Sequence, residues 1–192
     1  MPEISCVLAI GGHAADMEFT AGALVAKYTR ADARAVLLHL MAGEMGHSRL
    51  CGQDYASQKY EEGDKAAQVL GAEARFLPYA DAALPAIART HPPHSPGTVL
   101  FPENWEDMED FDPNLYVDID DVYDQWLEAA NPYEFFRGGI SSFRYRDYYQ
   151  ALAIMRGCLS GYARAVALMR PKGALVSRVR GLPETGTPGF VI

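Results

Sequence analysis

The sequence predicts an α/β fold whose N-terminal half is a doubly wound parallel half-sheet, and three observations predict it. Apolar runs rich in β-branched or aliphatic residues fall at 4–10, 35–41 and 74–79. Stretches with helical periodicity, 17–30 and 55–70, separate them. A Gly-Gly pair, Gly11-Gly12, stands where the first run gives way to the first helix. The order is β-α-β-α-β, and strands joined through helices lie parallel.

Each element has its own reason. The run 4–10 is almost continuously apolar, as in a strand buried on both faces. Helix 17–30 carries Thr20, Ala21, Leu24, Val25 and Tyr28 as an apolar stripe. The second strand leads into the loop Gly43-Glu44-Met45-Gly46-His47. Helix 55–70 ends at Gly71, a natural C-cap. The second half is less regular. Residues 90–97 form a proline-stiffened loop, and 98–101 and 115–117 read as short strands, antiparallel to one another. Asp118 caps a helix over 119–130. Residues 145–169 read as one long helical segment interrupted by glycines. The expected organisation is a single domain over 1–170 followed by a tail over 171–192.

Composition narrows the function classes. The chain has 192 residues and a formal net charge of -8, which disfavours nucleic acid or an anionic membrane as partner. The three cysteines are far apart and form no CxxC, so neither a thiolate zinc site nor a disulfide framework is expected, and a reducing cytoplasm fits. The N-terminus has no basic, apolar leader pattern, and no run is long enough to span a membrane.

The chemistry concentrates in Gly11-Gly12-His13-Ala14-Ala15-Asp16-Met17-Glu18. This turn lies at the carboxyl end of a strand, where open α/β sheets place their ligands. The glycines permit turn conformations closed to other residues. His13 and Asp16, three apart on a tight turn, can reach one cation, and Zn²⁺ accepts those donors. A His that caps a helix or satisfies a loop accounts for the same pattern. GxGxxG and the Walker lysine are both absent, which counts against a nucleotide cradle.

These residues resemble the PIG-L/LmbE-like family of zinc-dependent N-deacetylases. The resemblance rests on His13-Ala14-Ala15-Asp16-Met17-Glu18 after a strand, the loop Gly43-Glu44-Met45-Gly46, the helix ending in Leu70-Gly71 before Arg75-Phe76-Leu77-Pro78-Tyr79-Ala80-Asp81, and Val117-Asp118-Ile119 before a helix. It implies a Rossmann-like three-layer sandwich with a mostly parallel sheet and, here, an irregular C-terminal half. It implies Zn²⁺ held by His13 and Asp16, Glu18 supporting the loop, and a zinc-bound water that removes acetyl from an N-acetylated amino sugar or similar small molecule. The chain departs from the family twice. Ala15 stands where the family has its catalytic Asp, and no His-x-Asp-His follows Asp81.

Other residues are candidates for what is missing. His47 lies in the loop after the second strand, on the rim shared with His13, and is the expected third ligand; a solvated loop His is the alternative. Glu44 is the candidate general base, or else a carboxylate that stabilises its loop. His91 and His94 are three apart, but Pro92-Pro93 keeps the backbone between them extended. His39, alternating within an apolar strand, reads as a core histidine. Trp105 offers a face to a sugar ring, and Tyr133, Phe135, Phe136, Phe143, Tyr145, Tyr148 and Tyr149 read as core, subunit interface or substrate wall. Arg144 and Arg146 are candidates for binding an anionic substrate group. The expectation is a metal-dependent N-deacetylase-like hydrolase that forms a homo-oligomer. Its rival is a family descendant without turnover that binds a small molecule or serves assembly.

Overall fold

The computed structural model describes residues 4–81, 100–105 and 111–170. The first half folds as expected: β1 (Cys6–His13), α1 (Asp16–Thr20), α2 (Gly22–Arg30), β2 (Arg34–Met41), α3 (Gly52–Leu70) and β3 (Glu73–Tyr79). The strands form a parallel sheet in the order β1-β2-β3. Their register aligns the carboxyl ends, with His13 beside Met41 and Met41 beside Tyr79. The loops that follow therefore emerge together on one edge.

Two helical expectations needed correction. The stretch 17–30 is two helices, because the chain leaves helical geometry at Ala21 (φ -123°, ψ -3°). The Thr20 hydroxyl donates back to the Asp16 carbonyl at 2.7 Å, a bond that bends helices. A Cβ on Gly22, the first residue of α2, would stand 3.1 Å from the Trp126 ring. The stretch 145–169 is a helix and a strand: after β4 (Phe101–Pro102), β5 (Leu115–Asp118) and α4 (Tyr123–Ala130) come α5 (Tyr145–Ser160) and β6 (Ala165–Met169). Gly161, at φ +80°, stops α5 with its N–H on the Gly157 carbonyl. The freed segment then pairs antiparallel with both β4 and β5, giving a second sheet in the order β4-β6-β5. The short strands thus pair with β6 and not with each other. Asp118 is not the N-cap expected of it: Ile119 takes that place before a 3₁₀ turn (Asp120–Val122) ahead of α4, and the Asp118 carboxylate accepts the Asp120 N–H at 3.0 Å.

The core lies on one face of the parallel sheet. Ala9, Leu37, Val25, Ala26, Ala66, Leu70, Val122 and Trp126 are buried together, with α2 and α3 against that face and α4 packed on those two helices. The expectation that β1 is buried on both faces fails: Leu8 and Ile10 are 55% and 50% exposed on the other. A smaller cluster of Leu24, Tyr28, Val117 and Leu168 joins α2 to the second sheet. Residues 82–99, with His91 and His94, and the tail 171–192 lie outside the described residues.

Candidate active site

A cleft of about 580 Å³ opens at the carboxyl edge of the parallel sheet. His13, Asp16, Gly43, Lys59 and Asp81 form one side. Trp105, Phe135, Tyr145 and Tyr149, all from the second half of the chain, form an aromatic side.

The turn after β1 is built differently from the sequence expectation. Neither Gly11 nor Gly12 takes a positive φ; both lie within β1. Their value is space, since a Cβ on Gly11 would sit 3.1 Å from the Asp16 Cβ. The left-handed residue is Ala15, buried, at φ +98°. A non-glycine residue in that region stores about 1–2 kcal/mol. It delivers Asp16 to the start of α1, where Oδ2 accepts the His13 backbone N–H at 2.8 Å.

His13 is half exposed and stands between two carboxylates. Its Nδ1 is 3.9 Å from Asp16 Oδ2 and its Nε2 is 3.3 Å from Asp81 Oδ1. Gly43, at φ +84°, passes beneath the ring, and a Cβ there would stand 3.4 Å from the imidazole. Asp81 is nearly buried and held from behind. Its Oδ2 accepts the Met45 N–H at 2.9 Å, and its own N–H donates to Glu44 Oε1 at 3.0 Å. Its Oδ1 is buried without a hydrogen-bond partner. Among the described residues no group of three or more His, Cys, Asp or Glu is already arranged around a common metal position.

The other sequence candidates take different places. Glu44 does not line the cleft; its Oε1 accepts the Asp81 N–H at 3.0 Å. His47 does not line it either. Its Nδ1 accepts the Arg49 and Leu50 N–H groups at 3.0 and 2.8 Å, which leaves the proton on Nε2, 3.8 Å from Glu134. Arg144 is exposed and paired with Asp147, away from the cleft lining. Arg146 is exposed. Glu18 is fully buried beneath the site, accepting from the Tyr133 hydroxyl at 2.5 Å and lying 3.3 Å from His39 Nε2. His39 is a core residue, stacked on Phe76.

Lys59 and Asp81 were not singled out from sequence. Lys59 is 3% exposed on the inner face of α3. Its Nζ lies 3.7 Å from the centre of the Phe135 ring and donates a long 3.4 Å bond to the Ala14 carbonyl. Desolvation lowers its pKa to about 8 despite nearby Glu62, Glu18 and Asp16. Its signal was available: Lys59 interrupts the buried stripe that Tyr55, Ala66 and Leu70 continue. Asp81 could have been found as the carboxylate that follows β3 on the rim carrying His13.

The profile of the GlcNAc-PI de-N-acetylase (PIG-L) family matches residues 8–129. The fold is similar to that of an N,N'-diacetylchitobiose deacetylase from Pyrococcus horikoshii, at a TM-score of 0.67 and 16% identity over 86% of this chain and 83% of that chain. It is similar to GalB, a 4-carboxy-2-hydroxymuconate hydratase from Pseudomonas putida KT2440, at 0.70 and 16% over 92% and 100%. It is also similar to the zinc-inhibited form of the teicoplanin deacetylase Orf2, at 0.61 and 14% over 88% and 100%. At these identities the likeness is one of fold. No curated protein matches the sequence significantly.

Proposed function

Since this chain belongs to the GlcNAc-PI de-N-acetylase (PIG-L) family, we propose that it is a metal-dependent N-deacetylase acting on an acetylated amine of a small, sugar-like molecule. The observation that carries this reading is the placement of His13 and Asp16 on one wall of the cleft, at the sheet edge where the fold presents ligands. The donor set suits Zn²⁺, which takes imidazole and carboxylate, and the unpartnered, buried Asp81 Oδ1 is an acceptor aimed at the same imidazole.

His13 and Asp16 would hold the cation. When bound there, the cation supplies Lewis acidity, which polarises an amide carbonyl and acidifies water. The chain's own groups do the rest. Asp16 fixes the His13 backbone through its 2.8 Å bond, so the imidazole is set before substrate arrives. Trp105, Phe135 and Tyr145 give the amide's non-reacting part an apolar wall and exclude water from it. Lys59 brings an ammonium group into an aromatic, desolvated setting, where a charge acts more strongly than in water. The fold likeness to deacetylases of N,N'-diacetylchitobiose and teicoplanin supports an acetylated small molecule as substrate.

The test is metal content after purification without chelator. The account predicts about one zinc per chain in the wild type and none in His13→Ala, at closely similar melting temperatures. Zinc retained in the variant, or absent from the wild type, would contradict it.

A further inference from the structure

Resting on the metal-dependent reading, we propose that Asp81 is a positioning residue for His13: its Oδ1 accepts the Nε2 proton of the ring and so presents Nδ1 to the cation, on the side of Asp16. The two carboxylates stand at opposite nitrogens of one imidazole. Asp16 Oδ2 is 3.9 Å from Nδ1, and Asp81 Oδ1 is 3.3 Å from Nε2. One ion does not sit at both nitrogens, so the ring divides the pair into a ligand side and a supporting side. A neutral imidazole carries a single ring proton, and the partner of one nitrogen decides which nitrogen keeps its lone pair for a metal.

The surroundings put Asp81 on the supporting side. Its side chain is 12% exposed against 34% for Asp16, so Asp16 is the carboxylate open to an arriving ion. Asp16 also shares a turn with His13 and holds its backbone N–H, which keeps that carboxylate on the Nδ1 side. Asp81 Oδ2 accepts the Met45 N–H, and the Asp81 N–H donates to Glu44, so Oδ1 is the atom left toward the ring. That oxygen is buried with no hydrogen-bond partner, within donor reach of Nε2 but out of line with it. A buried acceptor in that state is costly until a donor meets it, and bonds of this kind tighten when a site fills. A carboxylate on the far nitrogen of a metal-bound histidine fixes the tautomer and the ring orientation and makes the ligand more basic.

Two measurements test the assignment. Nitrogen-15 NMR of the His13 ring in zinc-loaded wild type, with His13→Gln to assign the signals, reads which nitrogen the metal holds. Zinc titration calorimetry on chelator-stripped wild type, Asp81→Asn and Glu44→Gln reads the strength of binding. In Asp81→Asn the amide oxygen serves the Met45 N–H and the NH₂ group faces Nε2, so a donor replaces the acceptor. Glu44→Gln removes one charge from the same rim while its side-chain oxygen still serves the Asp81 N–H. The inference predicts zinc on Nδ1 with the proton on Nε2, affinity about 10–100-fold weaker in Asp81→Asn, and affinity close to wild type in Glu44→Gln. Zinc on Nε2 overturns it, and that result needs no Asp81 variant. Unchanged affinity in Asp81→Asn overturns it and leaves the metal-dependent reading standing. Equal losses in both variants assign the effect to charge alone and also overturn it. A wild type that binds no zinc overturns that reading itself, and the inference with it.

Discussion

Lys59 lies 3% exposed among Tyr55, Tyr133 and Phe135, and its amine is lowered from the ordinary 10.5 to about 8. Below pH 8 it is protonated in the folded and the unfolded chain, and the folded chain carries the cost of a buried charge. Between pH 8 and 10.5 the folded chain has released a proton that the unfolded chain still binds, so raising the pH favours folding. The gain over that interval is about 3 kcal/mol. Burial pushes the Tyr55, Tyr133 and Tyr149 hydroxyls up, so above about pH 10 these groups act in the opposite direction. Urea unfolding should therefore show stability rising from pH 8 to pH 10 in the wild type and nearly flat in Lys59→Met. An equal rise in the variant would contradict this. At this scale the sequence was half legible. His13 and Asp16 could be read because their chemistry and spacing are local. Asp81 and Lys59 left only weak local signals, because their weight depends on which strand ends and helix faces converge. Ala15 hid its role because its side chain says nothing of its φ.

Helix α3 is seated on β3 at Gly63, where a Cβ would stand 2.7 Å from Phe76 Cζ. Phe76 has little room to yield, since it stacks on His39 at 4.6 Å and meets Tyr60 edge-on at 4.8 Å. Gly63→Ala gains helix propensity of about 1 kcal/mol but overpacks this contact by about 1–3 kcal/mol. A net loss of up to about 2 kcal/mol is expected, lowering Tm by up to about 8 °C. A raised Tm in a thermal melt would show that the helix sits farther from the sheet. The same level explains which elements could be read. Strands β1 to β3 and helix α3 carry their own periodicity and, at Gly71, their own stop signal. The break at Ala21 depends on a Thr20 hydroxyl bond and on Trp126, more than a hundred residues away in sequence. The strand β6 reads as helix because Ala-Val-Ala-Leu-Met lacks alternation; its pairing with β4 and β5 decides it.

Across the whole molecule, the parallel sheet and the chain after it divide the work. The first supplies His13, Asp16 and Asp81 at its carboxyl edge. The chain after it supplies the aromatic wall, with Trp105 and Tyr145 ring to ring at 5.7 Å. The α/β class was legible because hydrophobic runs and helices alternate. The exposed Leu8 and Ile10 were not, since an apolar run does not say which of its faces a helix will cover. No helix of the described residues is long and apolar enough to cross a membrane. The most direct measurement of what this arrangement does is acetate release from an N-acetylated amino sugar by zinc-supplemented protein, wild type beside His13→Ala. The account predicts acetate from the wild type and none above background from a variant that melts normally. No release by the wild type from any acetylated amino sugar, or equal release by both proteins, would contradict it.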